Sequence, residues 1–194
     1  LQQVDWLFAQ GMLYVAGKIF QVVAVSGTNM MITRKCCERF GGYQNIPYSL
    51  TEDIGALTAA KRSGCTGKNV LHQMATATIE AQPDWRSLLS QRSRWVYGVL
   101  RLPKGIVLLL LWRALFLPAV LWLAWWWVWM AVAAYLLKSA INLCLIRKVG
   151  VQIGHNASWG YLLIFELYWF FMASIGLVTH LFSSGTHWKG RKYS

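Results

Sequence analysis

The feature that most constrains this chain is an apolar run from Ile106 to Ile146, broken by a charge or an amide only at Arg113, Lys138 and Asn142. As one helix it would extend ~62 Å, about twice the ~30 Å hydrocarbon core of a bilayer. The run must therefore fold back on itself. Trp122, Trp125, Trp126, Trp127 and Trp129 cluster near its middle, and tryptophan gathers at membrane–water interfaces. This predicts a tight hairpin with its tip at 122–127, although no Gly, Asn or Ser marks the turn and only Pro118 lies nearby.

A polar connector from Arg147 to Trp159 follows, then a second apolar run over 161–182 and a basic tail, His187-Trp188-Lys189-Gly190-Arg191-Lys192-Tyr193. The second run is long enough for a third crossing. However, Glu166 inside it is costly at mid-bilayer unless paired, and a crossing would put the basic tail on the outer face, against the positive-inside rule. The expectation is a run that lies along the cytosolic leaflet or dips into it.

The front of the chain differs in kind. Six of the seven acids (Asp5, Glu38, Glu52, Asp53, Glu80 and Asp84) precede residue 85; the seventh is Glu166. The net charge of +12 would suit nucleic acid, but Arg101, Lys104, Arg147, Lys148, Lys189, Arg191 and Lys192 flank apolar runs. Anionic headgroups explain that placement better, and no nucleic-acid partner is expected. The chain opens on Leu1 with no signal-peptide pattern, which reads as the C-terminal piece of something longer. Cys36, Cys37, Cys65 and Cys144 have neither zinc-like nor redox-like spacing and are expected as reduced thiols. The four histidines form no ligand pair, so no metal site is expected in this stretch.

Helical spacing covers residues 1 to about 20, with breaks at Gly11 and Gly17. Gln21 to Val25 and Met30 to Thr33 read as strands around a bend at Ser26-Gly27-Thr28-Asn29. Arg34 to Phe40 reads as a short helix stopped by Gly41-Gly42. Ser49-Leu50-Thr51-Glu52 fits a capping box opening a helix to about Ser63. Residues 68–79 alternate and read as a strand. A further helix begins near Pro83-Asp84, with Asp84 as its cap.

On that helix Gln91, Arg94 and Trp95 stand at i, i+3 and i+4, so an amide, a guanidinium and an indole share a face. The guanidinium can fork onto a diphosphate, and the indole offers a platform for a sugar ring. A basic amphipathic helix lying on a membrane satisfies the same pattern. Likewise Glu52 and Asp53 suit a helix start for capping and dipole reasons alone.

Taken in order, Ser26-Gly27-Thr28-Asn29, Arg34, Gly41-Gly42-Tyr43, Thr51-Glu52-Asp53 and Gln91-Arg92-Ser93-Arg94-Trp95 followed by apolar helices resemble the processive-type family 2 glycosyltransferases. That group includes the cellulose, hyaluronan and poly-N-acetylglucosamine synthases and smaller lipid glycosyltransferases. The specific element is Thr-Glu-Asp at 51–53 paired with Gln-x-x-Arg-Trp at 91–95.

The resemblance implies an α/β fold plus membrane helices: the C-terminal part of a GT-A domain (1–83), an interfacial amphipathic helix (84–103), a membrane region containing a transmembrane hairpin (104–182), and a basic cytosolic tail (183–194). It implies a multi-pass enzyme of the inner membrane, with its catalytic part cytosolic. Transfer would run from a nucleotide-diphosphate sugar, a UDP-sugar by analogy, to a lipid or glycan acceptor. Asp53 matches the catalytic base. Gln91 and Arg94 match the diphosphate-binding positions and Trp95 the acceptor-sugar platform, with Glu52 and Arg92 as further substrate-binding positions. Ser26, Gly27, Thr28 and Asn29 match an acceptor-lining loop, and Lys189 and Arg191 a tail that closes over the nucleotide. Mg²⁺ or Mn²⁺ on the diphosphate would be held by residues upstream of Leu1, without which the piece would be inactive. Val25-Ser26 replaces the aromatic-cysteine lead-in usual in cellulose synthases, which points to a smaller or lipid acceptor. The competing class is a non-catalytic membrane scaffold or transporter subunit.

Overall fold

The computed structural model describes residues 1–20, 29–47, 52–99, 104–155, 159–182, 186–188 and 191–193. Seven helices run in order among them: α1 (Gln2–Phe20), α2 (Arg34–Arg39), α3 (Glu52–Arg62), α4 (Trp85–Val99), α5 (Lys104–Trp126), α6 (Val128–Ile153) and α7 (Trp159–Phe182). Two strands, β1 (Thr186–Trp188) and β2 (Arg191–Tyr193), form an antiparallel hairpin with Trp188 opposite Arg191.

The α/β expectation is therefore wrong for the described residues, whose regular structure is helical apart from that hairpin. Residues 68–79 show the physical reason. His72 and Thr76 are extended, but they flank a 3₁₀ turn at Gln73–Ala75, and the stretch forms no strand and has no neighbouring strand among the described residues. Polar groups in and beside this stretch pair with α1 instead. The Asn69 side chain donates to the Leu13 carbonyl at 2.8 Å. Gln2 accepts from the Gln82 backbone N–H at 2.9 Å and donates to its carbonyl at 3.0 Å. Alternation places side chains on two faces, but only a partner edge makes a sheet. Met30 to Thr33 likewise lead into α2 without pairing, and residues 21–28 lie outside those described.

Several local expectations hold. α2 ends where Gly41 and Gly42 adopt φ of 79° and 82°, a region open to glycine at little cost. α4 starts where its acidic cap puts it, and α3 opens at Glu52; Ser49, the expected partner in its capping box, lies outside the described residues. By contrast, α1 runs unbroken through Gly11. That glycine serves packing: a Cβ there would meet Leu145 Cγ at 2.9 Å and Val149 Cγ2 at 3.0 Å, so its absence lets α1 and α6 approach closely. Cys36 and Cys65, expected as thiols, form a disulfide with Cα atoms 6.0 Å apart. The fold, rather than any spacing motif, brings α2 to the end of α3.

The apolar run breaks at Trp127, where a non-helical φ/ψ of −141°/79° separates α5 from α6. The two helices pack antiparallel, with Lys138 over the Phe116 ring and Arg113 bonded to Asn142. They do not make a transmembrane hairpin. Among the described residues only α6 is long and apolar enough to cross a membrane, while α5 contributes the shorter apolar stretch Leu110–Trp126. The buried core lies at the opposite end from the turn. Val4, Leu7 and Phe8 of α1, Ile146, Val149 and Ile153 of α6 and Phe165 of α7 form it. α4 joins this end against α7, with Leu88, Arg92 and Ser93 buried.

Candidate active site

The site begins at the cap of α4. Asp84 Oδ1 accepts the Ser87 backbone N–H at 2.9 Å, and its other oxygen accepts the Ser87 hydroxyl at 2.8 Å. These bonds favour the carboxylate, holding the Asp84 carboxyl below its ordinary range. The helix so started carries Gln91, Arg94 and Trp95, all half-buried.

Arg94 connects the acidic and the basic motif. Burial lowers the tendency of its guanidinium to stay charged, and the Glu52 carboxylate acts against that loss. The start of α3 therefore lies within electrostatic reach of α4, although the two motifs stand far apart in the sequence. Asp53 is half-buried and its Oδ1 accepts the Ile54 backbone N–H at 2.8 Å. Thr51 lies outside the described residues.

Arg92 is placed differently from its neighbours. It is buried, with Nη2 2.5 Å from Asp5 Oδ2 and 3.4 Å from the Tyr168 hydroxyl, to which it donates. Its guanidinium carbon stands 4.2 Å from the centroid of the Trp95 ring. Trp6 meets the same indole at 77°, with centroids 4.7 Å apart. Burial pushes the Asp5 carboxyl above its usual range, and the guanidinium groups of Arg92 and Arg113 counter this only in part.

Of the other expected residues, Ser26, Gly27, Thr28 and Lys189 lie outside the described residues. Asn29 is described, and its side-chain amide donates to the Ala75 carbonyl. Arg191 stands in β2, and β1 of the same hairpin lies against α4, so the tail is brought to the motif helix. Among the described residues no three His, Cys, Asp or Glu side chains group in a way that could hold a metal ion.

The motifs by themselves do not name their partners. Asp5 and Trp6 of α1 and Tyr168 of α7 hold the middle of α4. A second polar cluster joins α5, α6 and α7. Glu166 is bonded to Lys138 and to the Asn142 amide and lies 3.7 Å from Arg113 Nη2. Arg113 donates to Asn142 Oδ1 at 3.3 Å and packs against the rings of Phe8 at 3.8 Å and Trp169 at 4.2 Å. The sequence does contain a signal for this cluster: each of these polar residues interrupts an apolar run. Glu166, expected to need a partner, has three.

The chain belongs to the glycosyl transferase family group 2, whose sequence model matches residues 7–182. Membership makes it a glycosyltransferase. No curated protein and no solved structure matches it.

Proposed function

We propose that this chain carries the base and the acceptor side of a membrane-bound inverting glycosyltransferase. The enzyme transfers a sugar from a nucleotide-diphosphate donor, a UDP-sugar, to a lipid or glycan acceptor. The observation that carries the reading is the family match over residues 7–182, with the Glu52 carboxylate in electrostatic reach of Arg94 beside it.

The chemistry asks little of the protein beyond placement and one base. The acceptor hydroxyl oxygen attacks the anomeric carbon as the bond from that carbon to the diphosphate oxygen breaks. The diphosphate leaves with the electron pair, and Asp53 takes the hydroxyl proton. Arg94 offers a fork of N–H donors to the leaving phosphates and Gln91 an amide, while Trp95 offers the acceptor sugar a flat apolar face. The Glu52 carboxylate favours the charged form of Arg94. Mg²⁺ or Mn²⁺, which the family resemblance implies, would neutralise charge on the donor diphosphate. The described residues contain no group able to hold it, so their own part is proton transfer, phosphate binding and stacking. The apolar α6 and the exposed tryptophans at its start support attachment to a membrane, with the catalytic part on the cytosolic side, where nucleotide sugars are made.

Asp53→Asn in the whole protein should lower turnover by ~10²–10⁴-fold, the usual contribution of a general base, with donor binding retained. Steady-state assays in native membranes with radiolabelled donor, beside equilibrium donor binding, measure both. Near-normal turnover in Asp53→Asn together with loss in Glu52→Gln would move the base to Glu52 and sink this assignment.

A further inference from the structure

We propose that Asp5 is a positioning residue for acceptor binding, acting on Trp95 through Arg92. The inference rests on the reading of Trp95 as the acceptor platform, and it assigns Arg92 to that platform.

Arg92 is already engaged on three sides. Asp5 holds one terminal nitrogen at 2.5 Å, the Tyr168 hydroxyl accepts from the same nitrogen at 3.4 Å, and the guanidinium lies over the Trp95 indole at 4.2 Å. The side chains of Arg92 and Asp5 are each 8% exposed, so water does little to screen their attraction. A diphosphate would have to displace Asp5 to use this guanidinium. The donor role therefore stays with Gln91 and Arg94, both half-buried.

The geometry makes Asp5 the anchor of a stack. Without its carboxylate a buried guanidinium has no counter-charge where it stands, and it turns toward water or another acceptor. The cation then leaves the indole. Trp95 would keep Trp6 at 77° but lose the group that fixes the tilt of its ring. A sugar stacks well only on an indole held at one angle, so the loss should appear as weaker acceptor binding. Donor binding at Gln91 and Arg94 should be spared. Tyr168 ties α7 into the same arrangement, which explains why an acid in the first turn of α1 can act on a motif so much further along the chain.

The test uses the whole protein in native membranes, varying donor and acceptor separately. Asp5→Asn should raise the acceptor KM by about three- to tenfold, the size expected for one cation–π contact, and leave the donor KM within about twofold. Asp5→Glu should recover most of the loss. Asp5→Asn in a Trp95→Ala background should add nothing. Asp5→Asn can fail to fold because it strands a buried arginine; the pair Asp5→Asn/Arg92→Met removes both charges and keeps the test open. That pair should still show a raised acceptor KM. A wild-type acceptor KM in the pair, beside a raised one in Trp95→Ala, overturns the role of Asp5 and leaves the platform standing. An unchanged acceptor KM in Trp95→Ala overturns both.

Discussion

The two ends of the helical bundle are built in opposite senses. At the end where α1, α4 and α7 meet, charged side chains lie inside: Asp5, Arg92, Arg113 and Glu166 are all buried. At the Trp127 turn, apolar side chains lie outside: Trp125 is 83% and Trp129 82% exposed. In water a chain gains by burying the second set and solvating the first. On the membrane-bound reading proposed above, the turn end suits an apolar solvent, while the other end uses paired charges to fix helices against one another. A buried ion pair adds little net stability over apolar packing, but removing one partner costs a great deal. The packed end should therefore be brittle to single substitutions and the turn end tolerant.

The largest expected effect breaks the comparison directly. Glu166→Ala leaves Arg113 and Lys138 without their counter-charge and should cost ~3–5 kcal/mol. Trp125→Ala at the turn should fall within about 0.5 kcal/mol when measured in the same detergent. Thermal unfolding of both variants decides. Equal losses would erase the distinction between the ends.

A smaller effect tests the close approach of α1 and α6. Gly11→Val places atoms where Leu145 and Val149 already stand, and overpacking of this kind costs ~1–3 kcal/mol. Denaturant unfolding that matched the unsubstituted protein would show that α1 stands off from α6.

The smallest effect lies where the packed end meets water. The Asp84 carboxyl is held below its ordinary value of 3.8 by the Ser87 N–H. A lowered folded-state value means the cap contributes fully above about pH 4, and the contribution is lost as pH falls through the lower folded value. Melting temperatures of the unsubstituted protein and Asp84→Ala should therefore differ at neutral pH and converge in strong acid. A difference that persisted or grew in acid would assign the effect to something other than the carboxylate.

How much of this is legible in the sequence depends on how far each signal reaches. Local signals hold: Asp84 caps α4, Gly41-Gly42 stop α2, and the long apolar run turns within the tryptophan cluster. Signals that need a distant partner do not. The alternation over 68–79 looks like a strand because nothing in it reveals that no strand lies beside it among the described residues. Arg92 looks like its neighbour Arg94, and only the approach of Asp5 from α1 separates them. Gly11 looks like a helix break because its packing partners, Leu145 and Val149, stand near the far end of α6. The motif pairing is legible for a different reason, since residue type and order carry it without any geometry.

The link between Cys36 and Cys65 has a consequence for the backbone it encloses. The ring it closes contains Glu52 and Asp53, and also Lys61 and Arg62, which are exposed. A trypsin cut after either basic residue would open the backbone without releasing a fragment. The nicked chain would run as one species on a non-reducing gel and separate into two only when a thiol reductant is added. The part of the chain that follows the cut would meanwhile stay tethered to α2 through Cys65.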